Sequence, residues 1–472
     1  MVFKVANTIF LIVLAHKMPI LKGLLMTIPV LGIPEVYTQA SAVRIFVHAV
    51  TSVGDISVVN LNDKGAARTV LLAQQHDIVV IASPLEKECI SYYKQLGFAF
   101  DPARIIVVNL NDEPSLIRAL LKNEVAFKRI IALLDNWHGK VIVDTFTVTK
   151  SELQFIAKLQ HYLPNPISYI GSKDLVLSQA VNRKDVARQF AIAANIPVAP
   201  AEIITDVWSE NNGDFNDAAL LKAIQRQIQL TGSVVVKGAI GASGSSIFVI
   251  KSSDDIDNVL TQLAQRHDNN VYLVEPLFSL SSAPNITVWI SPDGTIALVN
   301  NSNQCLSERL VFAGNQYPCS SSLYPDIVQA SERLAQYLYQ QGITGWAGFD
   351  FVEYYDSPTN SYQFFFSEIN ARYNAGMYAK TVFDVIQQQQ QQQQGLPVPS
   401  GYVTENLLLA PLSFATLQKH YQDLLFDPVC GYGVIPYNPG RLIEGVAAFI
   451  CIATHIEQAQ QLANVLRQRS VD

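Results

Sequence analysis

The sequence predicts an α/β fold, with a doubly wound N-terminal domain followed by strand-rich α+β units. Three observations carry this. Short apolar strands alternate with amphipathic helices from Val43 onward. A strand ending in Lys237 turns through a Gly/Ser loop straight back into a second strand. Two aromatic-rich strands, Gly345 to Glu353 and Phe364 to Arg372, flank a polar hairpin from Asp356 to Ser361.

Taken in order, Val43–Val50 reads as a strand, Lys64–Gln75 as a helix, Asp77–Ala82 as a buried strand, Leu85–Leu96 as a helix and Arg104–Leu110 as a strand. Ser115–Lys122 and Lys150–Leu159 carry helical periodicity, and strands are expected near Ile130–Leu134 and Val141–Asp144. That alternation describes a doubly wound unit. No Gly-x-Gly-x-x-Gly follows the first strand, so a dinucleotide site is not indicated. Pro164-Asn165-Pro166 and Gly171-Ser172 punctuate a boundary, after which Asp174–Ala194 reads as one amphipathic helix. The eight glutamines Gln387–Gln394, followed by Gly395-Leu396-Pro397, read as a loop or a helix extension. Gly445–Ala453 and Ile456–Arg467 close the chain as strand and helix. The resulting divisions are 1–42, 43–173, 174–386, 387–400 and 401–472.

Composition removes several function classes. The 33 basic and 40 acidic residues leave a net charge of -7, which offers a phosphate backbone no general attraction, so nucleic acid is not the expected partner. The five cysteines are scattered, with no Cys-x-x-Cys pair, which signals neither a disulfide framework nor a zinc site and fits a reducing, cytoplasmic compartment. The apolar stretch Ile9–Ala15 is interrupted by His16 and Lys17, too short to cross a bilayer, and the small-residue run Ala40-Ser41-Ala42 lies far from it. An apolar N-terminal extension is the expectation, with membrane association as the alternative. Homo-oligomerisation is left open.

The chemistry is concentrated in three segments. Lys237 closes the strand Ser233–Val236 and faces Gly241-Ala242-Ser243-Gly244-Ser245-Ser246, whose glycines let backbone N–H groups approach phosphate oxygens. The lysine precedes the glycines, so this is not a Walker loop, and a plain Gly/Ser hairpin with an exposed lysine reads equally well from this segment alone. Val271–Phe278 is an apolar strand ending in Glu275-Pro276-Leu277-Phe278, against which a flat base could lie; a buried strand capped by a solvated glutamate is the other reading. Finally, period-two alternation puts Glu368, Asn370 and Arg372 on one strand face, with Asp350 on the neighbouring strand. Two carboxylates and an amide oxygen among aromatics are hard-oxygen ligands of the kind Mg²⁺, or Mn²⁺, takes together with substrate phosphates.

In this order the motifs resemble the ATP-grasp superfamily of carboxylate-amine ligases, over Asp174 to about Tyr378. The segment Asn182-Arg183-Lys184-Asp185, with Lys184 thirteen residues before Pro197, is similar to the family's first basic motif. The resemblance implies that Lys184 and Lys237 bind the phosphates of ATP, that Gly241, Ser243, Gly244 and Ser245 cover them, and that Glu275, Pro276 and Phe278 form the adenine hinge. It implies Asp350, Glu368 and Asn370 as metal ligands, and Arg372 as the stabiliser of an acyl phosphate or substrate carboxylate. The family places a ribose-binding carboxylate about seven residues after the hinge, where this chain has Ser282. The whole chain further resembles peptide ligases of the pheganomycin-biosynthesis type, which carry a pre-ATP-grasp domain; Ser83-Pro84-Leu85 and Gly431-Tyr432-Gly433 through Arg441-Leu442 are the matching segments.

The resemblance implies an enzyme in which Mg²⁺-ATP phosphorylates a small-molecule carboxylate and an amine, amino acid or peptide then forms an amide bond, with release of ADP and phosphate. An ATP-binding module without catalysis, and an enzyme of the same fold with a non-amine acceptor, are the two alternatives.

Overall fold

The computed structural model describes residues 42–52, 63–172, 174–208, 214–241 and 244–469. The N-terminal extension, Ser243 and most of the segment Val58–Asp63 lie outside the described residues.

Five short strands form the N-terminal sheet: β1 Ala42–Val47, β2 Ile78–Ile81, β3 Ile105–Val107, β4 Lys140–Thr145 and β5 Ile167–Tyr169. All pairings are parallel, in the order β3-β2-β1-β4-β5. Helices cover its faces, which is why β2 is apolar and buried at every position. The helix Lys150–Tyr162 starts where its sequence says it should, with Thr149 and Glu152 forming a reciprocal capping box. One expected strand is overturned. Ile130–Leu134 is the last part of a helix, Glu124–Leu134, whose Asn123 side chain caps the Ala126 N–H. Phe127, Ile130 and Leu134 recur at helical spacing and are buried, whereas an isolated five-residue apolar run reads equally as strand.

The second region contains two antiparallel sheets. The smaller holds β6 Glu202–Thr205, β7 Val234–Gly238, β8 Ile247–Ile250 and β9 Val271–Pro276, in the order β6-β9-β7-β8. The larger begins with β10 Leu280–Ser282, β11 Pro284–Ile290, β12 Ile296–Leu306, β13 Phe312–Tyr317, β14 Gly345–Asp356 and β15 Ser361–Asn370. The same sheet continues into the C-terminal segment through β16 Gly401–Leu408, β17 Gly433–Pro436 and β18 Val446–Ala453, giving nine strands. The helix expected over Asp174–Ala194 is two helices, Leu175–Ala180 and Lys184–Ala193, separated at Val181-Asn182-Arg183. The glutamine tract belongs to the helix Ala375–Gln392, where Gln390 is buried. Among the described residues no helix is long and apolar enough to cross a membrane.

A core shared between the N-terminal sheet and the C-terminal strands joins the ends of the chain: Phe46, Val79 and Tyr93 pack in one cluster with Tyr378, Phe449 and Ile450. Gly440 sits at this junction, where an added Cβ would lie 2.1 Å from the Lys64 carbonyl oxygen. Because the obstacle is backbone, Gly440→Ala is expected to destabilise the fold by about 1–3 kcal/mol, read as a lowered melting temperature.

Candidate nucleotide and metal site

The site forms where the small sheet, the start of the helix Lys184–Ala193 and the paired strands β14 and β15 converge. The Lys184 backbone N–H donates to the Ala239 carbonyl at 2.8 Å, tying the helix start to the segment that follows Lys237. Its buried ammonium lies 3.1 Å from Glu368 Oε2. On β7, Lys237 Nζ is 2.7 Å from Glu275 Oε2 of β9 and also donates to Ser367 Oγ at 3.4 Å. Both predicted phosphate lysines are thus paired with carboxylates, with Lys237 and Glu275 each more than 90% buried.

The strand register explains the acidic centre. Asp350 lies directly opposite Glu368 in the β14–β15 ladder, and a bulge beside this pair leaves Ser367 without a counterpart, close enough to receive the Lys237 ammonium. Like charges directly opposite on neighbouring strands repel. Burial, reinforced by the Glu368 charge, pushes the Asp350 carboxyl up to about 6. Asp350 accepts from Asn285 Nδ2, and from Asn370 Nδ2 at 3.0 Å, while Asn370 Oδ1 accepts from Arg372 Nη1. Burial lowers the Arg372 pKa, and its Nε has no hydrogen-bond partner among the described residues.

These residues fit a hard divalent cation in donor chemistry: two opposed carboxylates with an excess of negative charge and a neighbouring amide oxygen. Among the described residues no group of three His, Cys, Asp or Glu side chains gathers.

The remaining predicted residues fall around this centre. Gly241, Gly244 and Ser245 lie between β7 and β8. Gly244, at φ +79°, lies where a Cβ would come within 2.8 Å of Val311 Cα, and the Ser245 carbonyl accepts from Arg266 Nη1 at 2.7 Å. Gly244 thus rests on the turn between β12 and β13 in a backbone conformation that favours glycine. Pro276 ends β9, and the Phe278 ring bridges to the large sheet, 4.5 Å from the Tyr354 ring and 4.9 Å from Phe365. Ser282 Oγ donates to Glu353 Oε2 at 2.8 Å, so this hydroxyl is engaged within the sheet.

Sequence reasoning missed several polar groups here. Arg188 lies one turn after Lys184; burial lowers its pKa and the nearby Glu275 charge partly offsets this. Asn285, Thr287, Asn300 and Ser302 lie on β11 and β12 beside the acidic pair. The signal was available: Asn300-Asn301-Ser302-Asn303-Gln304 is a polar run within a strand of an otherwise apolar sheet.

No family model matches the chain, and no curated protein matches it either. Solved structures do. N5-carboxyaminoimidazole ribonucleotide synthetase in its ADP complex superposes with a TM-score of 0.55 at 12% identity, covering 95% of this chain and 100% of that one. The fold is the ATP-grasp fold. Biotin carboxylase from Campylobacter jejuni, in a β-γ-ATP complex, gives a TM-score of 0.52 at 14% identity over 89% of each chain. The Aspergillus clavatus N5-carboxyaminoimidazole synthase, in complex with ADP and 5-aminoimidazole ribonucleotide, gives 0.52 at 13% identity over 92% of this chain and 99% of that one.

Proposed function

We propose that the protein is an ATP-dependent ligase that activates a carboxylate as its acyl phosphate and joins it to an amine, most like a peptide ligase. The observation that carries this reading is the pairing of Lys184 with Glu368 and of Lys237 with Glu275, the second lysine also reaching Ser367 beside Glu368. Two cations and two anions paired in this way supply the charges that a nucleotide polyphosphate and a divalent cation would exchange for one another. The nucleotide complexes of the neighbours support the ATP assignment.

Lys184 and Lys237 hold the phosphates, the Gly241–Ser246 loop covers them, and Glu275, Pro276 and Phe278 bound the base. Asp350, Glu368 and Asn370 would hold Mg²⁺, which when bound offsets charge on the transferring phosphoryl oxygens. A substrate carboxylate oxygen forms a bond to the γ-phosphorus as the bond to the β-phosphate oxygen breaks, releasing ADP. The amine nitrogen then attacks the acyl carbon, the C–O bond to phosphate breaks, and a proton leaves the nitrogen. Arg372 stabilises the acyl oxygen during both steps. Arg372→Ala is expected to lower kcat by about 100–1000-fold while the ATP dissociation constant stays within a few-fold, measured by steady-state kinetics and calorimetry.

The deciding experiment is Mg²⁺-dependent ADP release against pooled amino acids and short peptides, with Glu368→Gln protein as the blank. Release above the blank supports the ligase reading; nucleotide binding without release from any pool supports a binding module. Bicarbonate is added as a separate pool to test the reading with a non-amine acceptor.

A further inference from the structure

A small cleft opens beside Arg372, where the parallel N-terminal sheet meets the large sheet. Thr145 and Phe146 at the end of β4 and Ser172 just after β5 form one wall, and Trp346, Arg372 and Tyr373 form the other. The cleft therefore lies past the C-terminal ends of two parallel strands, the end at which open parallel sheets bind ligands. Its two walls are tied by backbone: the Tyr373 N–H donates to the Phe146 carbonyl at 2.9 Å, and the Phe146, Trp346 and Tyr373 side chains are all buried. The space between them is about 20 Å³, room for one small polar group and too little for a ring.

The hydrogen bonds around this cleft leave one chemistry unanswered. Three of its hydroxyls donate to backbone carbonyls: Ser172 Oγ to Gly342 at 3.1 Å, Ser178 Oγ to Leu175 at 3.2 Å and Thr344 Oγ1 to Gly171 at 3.3 Å. Thr145 is different. It is 3% exposed, yet its hydroxyl has no partner among the described residues, and neither has Arg372 Nε. Arg372 gives Nη1 to Asn370, beside the acidic pair, so the guanidinium spans from the metal donors to this cleft. Among the described residues no acidic side chain lines it. Buried polar groups are nearly always paired, and two donors with no carboxylate of the protein's own are completed by a carboxylate, one oxygen to each. An ammonium would meet only the Arg372 charge.

We infer that Thr145 and Arg372 hold the carboxylate of the acid substrate in this cleft, and that the cleft admits only a carboxylate whose neighbouring carbon is unbranched. This rests on the ligase reading above and narrows its acid to an unhindered carboxylate, such as that of acetate, of glycine or of an acidic side chain. The buried aromatic walls reject the main-chain carboxylate of any residue that carries a side chain.

The test titrates acetate and pivalate separately into the full chain with Mg²⁺-ADP present, followed by ligand-observed NMR for wild type, Thr145→Val and Thr145→Ser. Wild type is expected to bind acetate at least about tenfold more tightly than pivalate. Thr145→Val keeps the shape and removes the donor, so the acetate dissociation constant should rise about tenfold or more, and Thr145→Ser should restore it to within about threefold. Because the hydroxyl satisfies nothing in the folded chain, the valine variant should melt at or above the wild-type temperature with unchanged ADP affinity. No acetate binding to wild type, equal binding of pivalate, wild-type acetate affinity in Thr145→Val, or a lowered melting temperature in that variant would overturn the assignment. Selective acetate binding with no ADP release from any pool, unhindered carboxylates included, would overturn the ligase reading while leaving the cleft's ligand standing.

Discussion

Glu368→Gln is expected to reduce Mg²⁺-dependent ADP release by about 1000-fold or more while the protein still binds nucleotide. The substitution removes one of the two opposed carboxylates, so Asp350 alone carries the negative charge of the metal donor set. It also frees Lys184, whose ammonium is 3.1 Å from Glu368 Oε2. On the proposed function a phosphate would compete with Glu368 for that ammonium, and a divalent cation would relieve the competition by taking the carboxylate. The variant should therefore bind ATP in EDTA at least as tightly as wild type, and should lose the further tightening that Mg²⁺ brings. Calorimetry with and without Mg²⁺ separates the two effects; a variant with wild-type turnover would sink the metal assignment.

The second large effect is at Lys237. Its pairing with Glu275 is almost wholly shielded from water, so Lys237→Met strands a buried carboxylate and is expected to cost about 3–5 kcal/mol of stability. Adding Glu275→Leu removes the stranded charge and should recover most of that loss, because a buried ion pair contributes little beyond what well-packed apolar groups supply. Neither the single nor the double variant should release ADP at more than about 1% of the wild-type rate, since the phosphate cation is absent from both. Denaturant unfolding and the ADP assay run on the same three proteins distinguish the roles. Recovery of activity together with stability would show that the pair is structural.

Which features were legible in the sequence follows from the range of the interaction that fixes them. The alternation of strands and helices in the N-terminal region, the β7–β8 hairpin and the alternation of Glu368 and Asn370 are local patterns, and the structure displays each one; Arg372 was expected on the same strand but lies beyond its end, reaching Asn370 with its guanidinium. Ile130–Leu134 was misread because five apolar residues do not fix a period; the cap that decides it, Asn123, stands outside the run. The break at Val181–Arg183 escaped for a different reason. It is set by the Lys184 N–H reaching Ala239 and by the Asn182 side chain accepting from Ala371, both distant in sequence. Asn285, Asn300 and Ser302 were legible only as polar residues in an apolar sheet, since their place beside Asp350 depends on a strand register that no single segment encodes. Likewise the two lysine–glutamate pairs join residues from four separate motifs, so their residue types were readable but their partners were not.

The glutamine tract has a consequence that composition alone would hide. Its residues form the far end of the same helix whose first turn borders Asn300, and Gln389 and Gln390 are fixed there, one against Gly97 and the other buried. Each residue gained or lost would rotate everything beyond it by about 100°. A homopolymer is chemically indifferent to such a shift, because another glutamine arrives at every vacated place. The tract therefore behaves as a vernier: its length can change while the same side chain still docks at each position, and the mismatch is passed on to Gly395 and the prolines that follow. The helix start beside the sheet keeps its phase, and the variation is confined to the end that leaves it.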